Sequence, residues 1–286
     1  MGLLLMWDEA NSLKAIITCA GSGTRLLPYT KDLPKEMAPI FLRSPDLAVK
    51  PILQQIYEDL YLNGIRDFCF ITSRTKRAIE DHFTPDVYHG SVDSVLEAFH
   101  DMLINSSILW VNQFTPRGFG HAVLTGSPAV TDDRIIVHAG DSCIIPQNGQ
   151  RQHPLNHLIR SSENPDVEAA FLIRKVSDPQ RHGIVEVERE GDHYRVTGAE
   201  EKPSNPKSPW GIVPAYFFRR SIFEALKVTP PTINGEIQLT DAIQKIIEQQ
   251  KNVVAFEISD DIIVDVGTPC SYLESVRRCF PGDGPA

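Results

Sequence analysis

The sequence predicts an α/β fold: a Rossmann-like, three-layer αβα arrangement around a mixed, mainly parallel central sheet. Short apolar runs of strand length and β-branched content recur over residues 15–19, 68–72, 108–111 and 135–139. Between the first two lies an amphipathic helix over residues 51–63, with Ile52, Ile56 and Leu60 on one face and Gly64 as its stop. Strand–helix–strand order requires right-handed crossovers and therefore parallel neighbours. The chain has 286 residues, 42% hydrophobic and 23% charged. A chain of that size buries about 75% of its unfolded surface and needs no disulfide or metal staple.

After about Val167 the texture changes. Strand candidates over 167–175, 183–190, 194–199 and 211–219 follow one another closely, which predicts a more antiparallel region on the same sheet. A helix is expected over 239–250, a strand over 262–264 and a closing helix over 271–279. We divide the chain into an N-terminal extension, 1–13, and one domain, 14–286, with a first half at 14–150 and a second half at 151–286. The formal net charge of −9 argues against a broad nucleic-acid or anionic-membrane surface. No apolar run reaches the length of a membrane span, and residues 3–7 lack the basic flank of a signal peptide. Five cysteines, never spaced C-x-x-C, read as reduced thiols of a cytoplasmic protein.

The chemistry concentrates at the first strand's end, in Ala20-Gly-Ser-Gly-Thr-Arg-Leu-Leu-Pro-Tyr-Thr-Lys-Asp-Leu-Pro-Lys-Glu-Met37. Loops there line the crevice where open α/β sheets bind ligands. Gly21 and Gly23 let backbone N–H groups approach an anion, Arg25 offers a fork to phosphate oxygens, and Lys31 and Lys35 add point charges. A Walker A loop is absent, and Leu26 stands where a dinucleotide fingerprint needs its third glycine, which disfavours hydride chemistry. Asp141 and Asp265 each follow a buried strand, and two carboxylates converging on one crevice suit Mg²⁺.

The loop resembles the G-x-G-T-R-x-L-P-x-T-K-x-x-P-K-E-M signature of the sugar-1-phosphate nucleotidyltransferases, and is most similar to their UTP–glucose-1-phosphate uridylyltransferase branch. Lys50-Pro51 with Gln54, Gln113 ahead of Gly118-Phe-Gly-His-Ala122, Gly140-Asp141, Gly183 in His-Gly-Ile-Val, Glu201-Lys202-Pro203 and Asp265-Val-Gly-Thr extend the resemblance from Lys14 to about Phe280. It implies the nucleotide-diphospho-sugar transferase fold and transfer of a uridylyl group from UTP to glucose 1-phosphate. By the same resemblance Arg25 and Lys35 serve catalysis, and Ala20, Gly21, Gly23, Thr24, Gln113 and Gly118 bind the nucleotide. Gly183, Glu201, Lys202 and Ile212 would hold the sugar phosphate, with Mg²⁺ on Asp141 and Asp265 and a homo-oligomer as the working form. His121 is expected to pack at a helix start, and Glu236 is a further residue that can touch the sugar. dTTP in place of UTP remains open. A nucleotide-sensing subunit without catalysis is disfavoured because Arg25, Lys35 and both aspartates are present. Four departures from the family pattern stand out: residues 1–13, which have no counterpart in it, extra residues around 43–49, a shorter stretch between Phe83 and Gln113, and Pro214 where glycine is usual.

Overall fold

The isoleucine-rich first strand lies at the heart of the sheet because both its faces are buried, leaving water no access to its backbone. In the computed structural model, which describes residues 13–43, 47–85, 94–146, 153–258 and 262–279, the elements follow the alternation expected from the sequence. The strands are β1 (Lys14–Thr18), β2 (Pro39–Arg43), β3 (Leu47–Pro51), β4 (Asp67–Thr72), β5 (Ser107–Asn112), β6 (Arg134–Ala139), β7 (Ser142–Ile145), β8 (Ala169–Lys175), β9 (Gly183–Glu190), β10 (His193–Glu201), β11 (Trp210–Arg219), β12 (Val253–Glu257) and β13 (Ile262–Asp265). The helices are α1 (Ile52–Leu62), α2 (Arg77–His82), α3 (Ser94–Ile104), α4 (Phe119–Thr125), α5 (Leu155–Glu163), α6 (Ser221–Lys227), α7 (Leu239–Glu248) and α8 (Pro269–Cys279).

Nine strands form the central sheet, in the order β5-β4-β1-β6-β11-β8-β12-β10-β9. β5, β4, β1 and β6 run parallel, and β11 enters antiparallel to β6, where the texture of the sequence changes. β10 and β9 close the far side as an antiparallel ribbon that folds back, so that Ile184 of β9 also pairs with Gly211 of β11. Two apolar cores fill the faces. One joins α1, α3 and α5 to Ala15, Ile17, Phe68 and Phe217, and the other joins α4, α6 and α7 to Ile16, Ile71, Val137 and Phe171. The alternation Ala15/Ile17 against Ile16 is the period-2 pattern that sends successive side chains to opposite layers.

Pro214 lies inside β11, flanked by partners on both sides, a position that a ladder tolerates only where its pairing is broken. The register against β8 skips from Val213 to Tyr216, so Pro214 occupies a bulge and leaves no ladder N–H missing. The extra residues around 43–49 fall inside the β2–β3 hairpin, from the end of β2 into β3; residues 44–46 lie outside the described set, as do 1–12 of the N-terminal extension. β13 joins β7 in a separate two-stranded sheet rather than the central one. The cysteines are free thiols, with Cys19, Cys69 and Cys143 buried. Among the described residues no helix is long and apolar enough to cross a membrane.

Candidate active site

The signature loop leaves β1 at its C-terminal end and runs as three short 3-10 turns, Thr24–Leu26, Tyr29–Lys31 and Lys35–Met37. Gly23 takes a left-handed backbone, φ 66°, with Thr30 packed against it and donating to its carbonyl at 2.7 Å. That conformation is cheap only for glycine. The last turn carries Lys35 inward, where its ammonium donates to the carboxylate of Asp141 and stands beside Gly21; a methyl group at Gly21 would lie 3.4 Å from Lys35 Nζ. One lysine thus ties the loop to the end of the neighbouring parallel strand.

Asp141 is placed by Gly140, which fits where a Cβ would collide with Cys19 Sγ at 2.8 Å and whose N–H donates to Thr18 O at 2.9 Å. Burial alone would raise the Asp141 carboxyl, but Lys35, which donates to it, and Arg25 hold it below the ordinary carboxylate value. Burial would likewise depress Lys35, yet Asp141 and Glu36 raise it, so both members stay charged. Behind Lys35, Glu36 is 1% exposed and accepts from Lys76 Nζ at 2.8 Å.

The second aspartate reaches the same place through the β7–β13 pair. Asp265 lies opposite Ser142, and the Val266 N–H donates to Asp141 O at 3.0 Å. Asp265 Oδ1 accepts from the Gly267 N–H at 2.6 Å and from Ser271 Oγ at 2.9 Å, which fixes the carboxylate on its turn. Arg25 overlies that turn; a methyl at Gly267 would stand 3.9 Å from Arg25 Nη2. The two carboxylates present oxygen only, the donor set of a hard cation that takes few protein ligands and completes its shell with water and phosphate. No group of three or more His, Cys, Asp or Glu converges among the described residues.

Gln113 follows β5 and is 3% exposed, so it is not a strand-end residue facing water. Its N–H donates to Thr72 O at 2.8 Å, and its side-chain Nε2 lies 2.7 Å from His121 Nδ1. Gly118, φ 90°, leads into α4 so close to the segment before α7 that a Cβ would meet Ile237 O at 2.8 Å and Glu236 Cβ at 2.9 Å.

On the other side of the crevice, Glu201 Oε2 accepts from Thr240 Oγ1 at 2.7 Å and Glu201 Oε1 lies 3.0 Å from Lys202 Nζ. Gly183 packs against both Glu201 and Thr240, and a Cβ there would stand 2.6 Å from Thr240 Oγ1. Lys202 has φ 47°, a left-handed backbone rare for a side chain of its size, held by its N–H donating to His182 O at 3.0 Å. Ile212 is half-buried in β11, in register with Ile173. Spacing in the sequence gives no hint of three partners, Thr240, Lys76 and His121, because each meets its functional neighbour only through the fold.

A glycine-bearing loop at the C-terminal edge of a parallel sheet, with cations beside two carboxylates and Glu201 and Lys202 across the crevice, suits a polyanionic nucleotide substrate. The profile of the nucleotidyl transferase family matches residues 14–279, and the chain belongs to that family. It is 34% identical over 271 residues to a UTP–glucose-1-phosphate uridylyltransferase of Bacillus subtilis, covering 91% of this chain and 88% of the relative. One from Staphylococcus saprophyticus is 31% identical over 273 residues, covering 92% and 90%. The fold superposes on a UDP-glucose pyrophosphorylase complexed with UDP-glucose with a TM-score of 0.81 at 28% identity, covering 94% of this chain and 98% of that one. A UTP-bound UGPase from Acinetobacter baumannii gives 0.75 at 28% identity, covering 94% and 93%.

Proposed function

We propose a division of labour for the reaction this enzyme catalyses, transfer of a uridylyl group from UTP to glucose 1-phosphate with release of pyrophosphate. The first half of the chain, residues 14–150, takes the nucleotide, and the second, 151–286, takes the sugar phosphate. The observation that carries the reading is the reach of Lys35 from the signature loop onto Asp141, beside Gly21. It supports a triphosphate seated over that loop, with Ala20, Gly21, Gly23 and Thr24 lending backbone, and Gln113 and Gly118 meeting the pyrimidine edge.

A phosphate monoester is largely dianionic at neutral pH, so glucose 1-phosphate is itself the nucleophile and needs no general base. The barrier lies in bringing two polyanions together and in the charge that develops on the departing pyrophosphate, which positioning and fixed cations lower. Arg25 and Lys35 are assigned to that charge, Lys202 to the sugar phosphate, Glu201 to the sugar hydroxyls, and Gly183 and Ile212 to the wall against the ring. His182 O holds the Lys202 backbone, and the ammonium rests 3.0 Å from Glu201 Oε1, which keeps the two residues assigned to the sugar phosphate side by side. Asp141 and Asp265 would hold Mg²⁺, which when bound neutralises phosphate charge at the reacting phosphorus.

Pyrophosphate release measured across UTP, dTTP, CTP, ATP and GTP against several sugar 1-phosphates tests the reading. UTP with glucose 1-phosphate is the expected best pair, and a strong preference for a purine nucleotide would refute the base-site assignment. Lys202→Ala should chiefly raise KM for glucose 1-phosphate, because that lysine serves one substrate. Arg25→Ala should chiefly lower kcat, because the charge it meets develops in the transition state. Each change is about ten- to a hundredfold, the value of one charge-assisted contact. Wild-type kinetics in both variants would return these cations to solvated surface.

A further inference from the structure

We infer that His121 selects uracil over cytosine, by fixing which end of the Gln113 side-chain amide faces the base. The inference rests on the base-site reading above and deepens it. Gln113 is held at both ends. Its backbone N–H is spent on Thr72 O at 2.8 Å, and its side-chain Nε2 lies 2.7 Å from His121 Nδ1. With the residue 3% exposed, water does not offer the amide an alternative partner, so its two ends are not interchangeable.

The histidine is itself anchored. It is the third residue of α4, whose Gly120 N–H donates to Ile237 O at 2.9 Å, and Thr125 Oγ1 donates to the His121 carbonyl at 2.8 Å. Burial, with the charge of Arg117 added to it, pushes the imidazole below its ordinary pKa, so the ring is neutral at neutral pH. A neutral imidazole with its proton on Nε2 presents Nδ1 as an acceptor only. The amide NH₂ of Gln113 then points at the histidine and Oε1 points away from it.

The consequence for the base follows from edge chemistry. Uracil and thymine carry a proton on N3 and donate it, whereas cytosine presents a lone pair at N3. An amide oxygen held opposite N3 accepts from uracil and repels the N3 lone pair of cytosine; an amide free to rotate would offer NH₂ to that lone pair. His121 is therefore a positioning residue whose effect is read in base preference rather than in overall rate.

The test measures kcat/KM for UTP, dTTP and CTP with glucose 1-phosphate and Mg²⁺ in the full-length enzyme and in three variants. His121→Phe and His121→Leu remove the acceptor, while His121→Asn keeps a side-chain oxygen near the position of Nδ1. The expected result is a UTP:CTP ratio lowered at least about tenfold in either deletion variant that folds. The UTP:dTTP ratio should be unchanged, and His121→Asn should keep the wild-type preference. Equal losses on all three nucleotides, a UTP:CTP ratio that does not move, or an Asn variant as unselective as the deletions each overturn the inference. A wild-type enzyme that prefers purines sinks the base-site reading as well. A pyrimidine-specific wild type with an unmoved ratio in the variants sinks only the role of His121.

Discussion

Asp141→Asn and Asp265→Asn should each lower turnover by on the order of a thousandfold, and the double variant should lose little more than the worse single. The expectation follows from how the two carboxylates are brought together. The Val266 N–H is bonded to Asp141 O at 3.0 Å, and Asp265 sits opposite Ser142 in the β7–β13 pair, so the two act from one shared ladder. If both serve one cation, removing either leaves too few ligands and the second removal takes away nothing further. Few protein ligands also mean weak Mg²⁺ binding by the protein alone, tightening when UTP supplies phosphate oxygens. Calorimetric titration of Mg²⁺ with and without UTP, beside steady-state pyrophosphate release, checks both halves. Losses that multiply fully would assign the aspartates separate roles, and activity that survives EDTA would remove the metal from the mechanism.

Much of this arrangement is legible in the sequence, for reasons that differ by element. β1, β4, β6, β9 and α1 announce themselves because burial on one or both faces imposes an apolar period that nothing else explains. β12 goes unread because Val253–Glu257 is only five residues long and begins a short way after α7 ends at Glu248, too brief a run to show a period of its own. The short helices α2 and α6 carry too few turns for a period to show. In the site, the signature loop reads clearly because its whole length resembles a family signature; the two glycines and the cations taken alone also fit an ordinary turn with solvated charges. Gln113 does not read by itself: glutamine at a strand end is ordinary until the fold buries it and supplies His121. The expectation that His121 merely packs at a helix start missed that contact, since the two residues meet across a turn whose path spacing does not give. Pro214 shows the converse, a departure visible in sequence whose solution, a bulge in β11, only the register reveals.

Lys76→Met should destabilise the enzyme by about 3–5 kcal/mol, while Lys76→Met combined with Glu36→Leu should recover most of that loss. The pair is almost dry, with side-chain exposures of 4% for Lys76 and 1% for Glu36 at a separation of 2.8 Å. Removing the lysine strands a carboxylate in the protein interior; removing both charges replaces a costly desolvation with apolar contact. For a chain of this size each kcal/mol moves Tm by roughly 2–4 °C, so the single variant should melt about 6–20 °C lower. The pH dependence has a definite sign. Burial raises the Glu36 carboxyl above its ordinary value even with Lys76 and Lys35 opposing it, and loss of Lys76 raises it further. An acid whose folded pKa exceeds its unfolded one destabilises the fold above that range, so the single variant's deficit should shrink as pH falls and Glu36 takes up a proton. Activity separates the two roles of the pair, because Glu36 shares its 3-10 turn with Lys35. The double variant should regain stability but keep a lowered kcat, since the turn that delivers Lys35 to Asp141 then keeps its backbone bonds but loses its buried ionic tie to Lys76. A single variant that melts within a degree of wild type at neutral pH would mean that the pair does not hold the loop in place.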